Sequence, residues 1–324
     1  ELEGELGFVD LVKALSKNDF NAEQLKKHGK KIINTCYIYD GQLIIGSIER
    51  IKDINIVPSP YLTGALDQYF QLPLIPMIET TRGCPFTCTF CADGLAIKSK
   101  INRYETQRTR EELQYIAKNI NKVDELIVTD LNFGMYKQDM ETAKEIANIQ
   151  KNYNYPVSVD APAGKNMPKR IINIASIMKG WSMGGVIQSS DPGVLKAIKR
   201  SNISIDAYQD LIDFGNKQKA NRTYTEIILG LPDDTKEKHF KSLRLGVEKN
   251  VNNLRMHQAM LLIGTEMASK KDREKYGLIT KFRTLPGNVG NYNILNKEHP
   301  IAEVEEIVIG SNTLSVDDYI ECRI

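Results

Sequence analysis

Cys84-Pro85-Phe86-Thr87-Cys88-Thr89-Phe90-Cys91 sets three thiols at C-x3-C-x2-C spacing within eight residues. A [4Fe–4S] cluster needs four ligands. Three cysteines leave one iron open, and an open iron is where a small molecule is activated. Structural zinc is the competing reading. It prefers four protein ligands, commonly paired cysteines or cysteines with histidines. His28, His239, His257 and His299 all lie far from the stretch in sequence, and Cys36 and Cys322 are isolated. An odd total of five cysteines without a secretory segment argues against a disulfide framework. A metal-binding interaction protein with no catalysis is the alternative from another functional class.

Composition narrows the classes further. With 324 residues the chain is long enough for one large α/β domain with appendages, or for two domains. Forty-three basic residues against 41 acidic ones leave a net charge of +2, so no nucleic-acid partner is expected. No apolar run reaches membrane-spanning length. No signal peptide is visible, and a cytoplasmic location is expected. Glu1 stands where a complete chain has methionine, which predicts a fragment of a longer protein.

Outward from the cysteines, the pattern predicts strands alternating with helices. Pro76–Thr80 reads as a strand that delivers the cysteine loop. Thr109-x-x-Glu112 reads as a capping box opening a helix with Leu113, Ile116 and Ile120 on one face. Further strands are predicted at 125–129, 156–160, 185–188, 225–229 and 253–257. Helices are predicted at 139–150 and 167–179, from Asp191-Pro192, and around Phe240, Leu243 and Val247. Such β–α units imply a parallel sheet with crossover helices and chemistry at the C-terminal strand ends. Residues 1–60 read as an α+β lead-in, with an amphipathic helix at Phe8–Leu15 and a hairpin around Asp40-Gly41. Pro58-Ser59-Pro60 marks the boundary to a core over 61–260. Residues 261–324, with Tyr276, Phe282, Pro286 and Tyr292, read as an irregular extension over the barrel mouth.

The cysteine stretch, with aromatic Phe90 before the third cysteine, resembles the signature of the radical S-adenosylmethionine (radical SAM) superfamily. The resemblance implies a partial (βα)6 TIM-type barrel. It also implies a cluster ligated by Cys84, Cys88 and Cys91, whose open iron chelates SAM and whose electron cleaves it to a 5′-deoxyadenosyl radical. An electron donor such as flavodoxin or ferredoxin follows from that chemistry, as does a small-molecule substrate. Asp130-Leu131-Asn132-Phe133-Gly134 looks like the family's SAM-binding turn, and a plain βα turn with a capping Asp130 or Asn132 is the other reading. Gln188-Ser189-Ser190-Asp191-Pro192 through Arg200 resembles the fourth-strand segment of coproporphyrinogen oxidases and cobalamin-binding radical SAM enzymes. By that resemblance Gln188 meets the ribose and Arg200 the SAM carboxylate, against a reading of Arg200 as a helix C-terminal cation. Glu226 before Gly230-Leu231-Pro232 stands where relatives often carry an aspartate facing the ribose. Phe90 is expected beside the adenine, or in the core.

Glu3-Gly4-Glu5-Leu6-Gly7-Phe8 and Pro58–Gly64 resemble linkers of the cobalamin-binding members. Cobalamin-dependent methylation of an unactivated carbon is the implied reaction. No Asp-x-His-x-x-Gly segment occurs, so cobalamin is implied by family alone, its domain expected upstream of Glu1. The alternative is a cobalamin-independent oxidative decarboxylation, rearrangement or methylthiolation. Arg255, His257, Tyr276, Lys281, Arg283 and Tyr292 read either as a pocket for a polar or anionic substrate or as ordinary surface and lid residues.

Overall fold

Strand register carries the architecture. The computed structural model describes residues 3–218, 223–294 and 296–324, with the Pro286 side chain also outside the described set. It divides into two units, Glu1–Ser59 with Asn102–Tyr104, and Pro60–Ile101 with Glu105–Ile324. Residues 261–324 belong to the same unit as the barrel. Among the described residues no helix is long and apolar enough to cross a membrane.

In the first unit, α1 (Gly4–Ser16) and α2 (Ala22–Lys27) accompany a hairpin, β1 (Cys36–Tyr39) and β2 (Gln42–Ile45). Asp40 and Gly41 both have positive φ (49° and 70°), the geometry a two-residue hairpin demands. β1 begins at Cys36, and cross-strand bonds continue before it, the Gly46 amide donating to the Thr35 carbonyl and the Asn34 amide to the Ser47 carbonyl. The Glu3 carboxylate pairs with Arg50 at 3.1 Å and accepts from the Ile51 amide. A Cβ at Gly7 would stand 3.0 Å from the Ile33 carbonyl oxygen, so the glycine lets α1 approach that segment. The acidic, glycine-bearing start of the chain thus has local structural partners.

In the second unit, β3 (Met77–Ile78) is followed by β4 (Thr81–Arg82), with β5 (Asn102–Arg103) contributed to the first unit. Then come α3 (Thr106–Asn119), β6 (Glu125–Val128), α4 (Asp139–Tyr153), β7 (Ser158–Asp160) and α5 (Pro168–Ile177). α6 (Pro192–Ala197), α7 (Ile205–Lys217), β8 (Tyr224–Leu229), α8 (Lys236–Glu248) and β9 (Asn253–Gln258) complete the alternation. β3, β6 and β7 pair in parallel in that order, and β8 pairs in parallel with β9. Residues 180–188 join the two sets: the Val159 amide donates to the Gly180 carbonyl at 3.0 Å, and the Gln188 amide to the Glu226 carbonyl at 2.8 Å. This is the predicted fourth strand reduced to isolated bridges. Gly184 and Gly185 lie against the rings of Tyr224 and Tyr208, and Gln188 adopts a φ of 60°, which breaks an even ladder.

The helices ring this sheet, α3 on α4, α4 on α5 and α5 on α7. Ile78, Leu126, Val128 and Val159 meet Leu113, Ile116, Ile146, Ile149 and Ile174 in one core. Trp181 closes it, edge-on to Phe133 at 5.3 Å, with its indole N–H donated to the Ala161 carbonyl.

Two helical expectations are corrected. α3 starts at Thr106 with Glu105 as its N-cap, so Thr109 lies inside the first turn and its amide donates to the Glu105 carbonyl. Glu112 pairs with Arg108 at 3.0 Å instead of closing a capping box. On α8 the buried face is His239, Ser242 and Gly246, while Val247 is 70% exposed. Gly246 allows close approach, since a Cβ there would stand 2.8 Å from Leu254, and backbone proximity outweighs apolar periodicity.

The C-terminal extension abandons βα alternation, yet much of it is regular. α9 (Lys270–Tyr276) leads into an antiparallel hairpin of β10 (Ile279–Ile294) and β11 (Lys297–Gly310), and α10 (Val316–Arg323) ends it. β11 attaches beyond the C-terminal end of β9, with the Val308 amide donating to the Ala259 carbonyl at 2.8 Å.

Under α8 lies a buried titratable pair. His239 Nδ1 stands 3.9 Å from Asp234 Oδ2, beyond hydrogen-bond reach. Burial pushes the Asp234 carboxyl up to about 7 and the His239 ring down to about 4. Asp234 alone makes the folded state bind the extra proton, so its stability contribution falls as pH rises from 3.8 to about 7. His239 alone does the reverse, its contribution rising from about 4 to 6.5. The two slopes oppose each other in the native chain. Asp234→Asn leaves His239 alone, so stability in urea melts should climb across that window, by at most ~1.4 kcal/mol per pH unit. A variant whose pH profile matches the native one contradicts this pairing.

Candidate active site

The cysteine loop leaves the C-terminal end of the first barrel strand and is tied at both edges. Gly83 has a φ of 113°, and a Cβ there would come within 2.5 Å of the Lys100 carbonyl oxygen. The Cys84 amide donates to the Lys98 carbonyl at 3.1 Å. Within the loop, the Cys91 amide donates to the Cys88 carbonyl and the Gly94 amide to the Cys91 carbonyl. Thr89 bonds through its amide to the Ile198 carbonyl and through its carbonyl to the Met267 amide. Cys84 and Cys88 are buried and Cys91 is partly so.

Among the described residues no three His, Cys, Asp or Glu side chains close around a single ion.

The loop's shape leaves no room at Gly94, where a Cβ would sit 2.3 Å from the Cys88 carbonyl oxygen. Gly94→Ala should therefore cost about 1–3 kcal/mol as an overpacked site. Urea unfolding reads this directly, and native-like stability would contradict it.

Asp130, Asn132 and Gly134 follow β6 and do three different things. The register that pairs Ile78 with Val128 carries Asp130 to Thr80. Asp130 Oδ1 accepts from the Thr80 and Thr81 amides at 2.7 and 3.0 Å, and Oδ2 from the Thr80 hydroxyl. Burial pushes this carboxyl up while those donors pull it down. Asp130 is thus committed to the strand that delivers the cysteines. The Gly134 amide donates to Asp139 at 2.8 Å, and its φ of 85° makes the turn. Asn132 Nδ2 lies 3.4 Å from the Cys84 sulfur, while its Oδ1 is buried without a partner.

Thr89 Oγ1 and Gln188 Oε1 are likewise buried and unpartnered. Leaving such groups unmet costs about 1–3 kcal/mol each. These acceptors, on the cysteine loop and on the turns after β6 and at the fourth barrel position, fit a ligand that supplies N–H and O–H donors.

Arg200 is buried beside the Cys88 and Cys91 thiols. Its Nε donates to Asn202 at 3.0 Å and its Nη2 to the Val186 carbonyl. It offers a carboxylate fewer than its full five donors. Phe90 packs, partly buried, at the edge of a small core that includes Val194, Ile198, Leu231 and Met267.

Glu226 does not stand alone either. Ile227 turns outward onto Tyr208 and Ile212, so Glu226 faces the barrel interior. There it lies 3.6 Å from Arg255 and 3.9 Å from His257. Arg255 also covers the Tyr224 ring at 4.5 Å. Arg255 and His257 are both half-exposed. Of the other expected substrate residues, Arg283 pairs with Glu305 and reaches Gln258 at the end of β9. Lys281 and Tyr292 are exposed on the hairpin, and Tyr276 is buried in α9, so these three are not brought to the interior.

Sequence reasoning missed Lys165, in the loop after β7. Its Nζ lies 3.6 Å from the Cys88 sulfur and 4.9 Å from the Phe86 ring centroid. Its position at a C-terminal strand end was the available signal. The unpartnered Thr89 hydroxyl, inside the motif itself, was also missed.

The sequence model of the Radical SAM superfamily matches residues 78–245, the span that holds this site. The cobalamin-dependent radical SAM methyltransferase TokK of Streptomyces tokunonensis is 30% identical over 295 residues, covering 84% of this chain and 40% of TokK. The 2-(S-pantetheinyl)-carbapenam-3-carboxylate methyltransferase of Streptantibioticus cattleyicolor is 30% identical over 296 residues, covering 85% of this chain and 41% of that protein. The chain therefore spans about two fifths of the length of these relatives. In fold, it resembles the radical S-adenosylmethionine methyltransferase TsrM of Kitasatospora setae, solved with tryptophan and a SAM analogue. That likeness has a TM-score of 0.64 at 13% identity and covers 92% of this chain and 56% of TsrM.

Proposed function

Because the chain belongs to the radical SAM superfamily, we propose that Cys84, Cys88 and Cys91 hold a [4Fe–4S] cluster with SAM at its fourth iron, and that the whole protein methylates an unactivated carbon of a small molecule. Such a cluster would supply the one-electron reduction of SAM that prepares hydrogen abstraction from the substrate. One observation carries the reading. Three buried acceptors without partners, Thr89 Oγ1, Asn132 Oδ1 and Gln188 Oε1, are set on the cysteine loop and two neighbouring strand ends. The methionyl ammonium and ribose hydroxyls of SAM are donors of the kind these atoms lack.

The chain's own residues then divide the work. Asn132 donates to the Cys84 sulfur, and its oxygen accepts from the ammonium. Gln188 accepts from the ribose. Arg200 stands beside Cys88 and Cys91, where a SAM carboxylate would need a cation. Asp130 and Gly134 shape the turn and hold the loop, and touch no ligand in this assignment. Phe90 supplies an apolar wall for the adenine. Glu226, Arg255 and His257 face the substrate, and the half-exposed cations suit an anionic group on it.

Cobalamin rests on the relatives' names alone. No Asp-x-His-x-x-Gly segment lies within these 324 residues, and no step is assigned to that group. A flavodoxin- or ferredoxin-like protein is the proposed one-electron donor.

The test is anaerobic reconstitution with iron and sulfide, then reduction in the presence of SAM. Formation of 5′-deoxyadenosine and methionine is expected. A loaded, reducible cluster that leaves SAM intact contradicts the reading.

A further inference from the structure

Lys165 is held where its charge acts on the cysteine loop. Its loop is zipped to the turn after β6: the Phe133 amide donates to the Pro162 carbonyl and the Gly164 amide to the Phe133 carbonyl, each at 2.9 Å. Gly164 is required for that approach, since a Cβ there would meet the Met135 Cβ at 2.6 Å. The next residue, Lys165, then reaches Cys88, with Nζ 3.6 Å from Sγ. The Phe86 ring, 4.9 Å from the ammonium, holds it by a cation–π contact without neutralising it. Among the described residues no carboxylate pairs with Lys165. Arg200, the other cation at the thiols, also reaches Cys88, while its guanidinium bonds to Val186 and Asn202.

We infer that Lys165 is a positioning residue that raises the reduction potential of the cluster through Cys88. The inference rests on the cluster assignment above. One electron enters from a low-potential one-electron donor, and no bond or proton changes place. Negative charge on the thiolate shell grows by one, and a fixed ammonium at one sulfur favours the reduced state. Net charge around an iron–sulfur centre is an established determinant of its potential. Charges this close, in a half-buried site, are weakly screened by solvent.

The experiment is a redox titration of the reconstituted protein, with dithionite and mediator dyes and the reduced cluster read by electron paramagnetic resonance. Lys165→Met should move the midpoint to more negative values. At the native midpoint, where half of the cluster is reduced, the reduced fraction should then fall roughly threefold or more. Lys165→Arg, which keeps the charge, should stay near the native curve. Phe86→Leu, which keeps the lysine and removes the ring that steadies it, should fall between, and it carries the test if Lys165→Met does not retain iron. Superimposable curves for all variants overturn the inference and leave the cluster assignment standing. So does an unchanged midpoint with weakened SAM binding, which would make Lys165 a ligand contact. Failure of the native protein to form a cluster overturns the assignment itself.

Discussion

Replacing Cys84, Cys88 or Cys91 singly by alanine is expected to abolish SAM cleavage and leave iron near background after reconstitution. Each thiol occupies one iron corner in the proposed site, and two protein ligands do not retain a cube that three hold. Partners that merely support a metal ligand are typically worth about 10–100-fold in affinity or activity. Loss of a ligand should exceed that, at about 10³-fold or more in 5′-deoxyadenosine formation. Cys36, exposed in the first unit, supplies the control: Cys36→Ala should load iron as the native protein does. Iron content and product by chromatography decide it. A single variant of the three that cleaves SAM at the native rate contradicts the ligand set.

The second large effect is expected at Asp130, which touches no cysteine. Its two oxygens take the Thr80 amide, the Thr81 amide and the Thr80 hydroxyl, all buried. Asp130→Ala strands the Thr80 and Thr81 amides, and buried donors left unmet cost about 1–3 kcal/mol each, so a loss of about 2–6 kcal/mol is expected. Asp130→Asn retains one acceptor oxygen and should lose less. Because Thr80 and Thr81 lead directly into Gly83 and Cys84, the alanine variant should also load iron poorly at temperatures where it remains folded. Urea unfolding with iron analysis separates the two consequences. Native stability and native iron content in Asp130→Ala would contradict the clamp.

What the sequence disclosed was local chemistry. The cysteine spacing, the Asp40-Gly41 turn and the Asp191-Pro192 helix start each depend on neighbours a few residues apart, and each is present; the Asp191 side chain accepts from the Val194 amide at 3.0 Å. What it concealed depends on strands distant in sequence. Asp130 shows no tie to the strand before the cysteines until the parallel register of β3 and β6 sets it opposite Thr80. Glu226 shows no charge partner until β8 and β9 set it beside Arg255. Lys165 reads as a loop lysine until Gly164 brings its loop against Met135. The apolar face of α8 misled for the opposite reason, because the barrel there demanded closeness, and small Gly246 and Ser242 turn inward instead of Phe240 and Val247.

The most direct test of an open iron is the paramagnetic resonance of the reduced cluster recorded without and with SAM. A cluster held by Cys84, Cys88 and Cys91 alone should give a signal whose g-values shift when SAM is added, because SAM enters the coordination sphere. A signal indifferent to SAM, or a protein that retains zinc and no iron, would contradict the account.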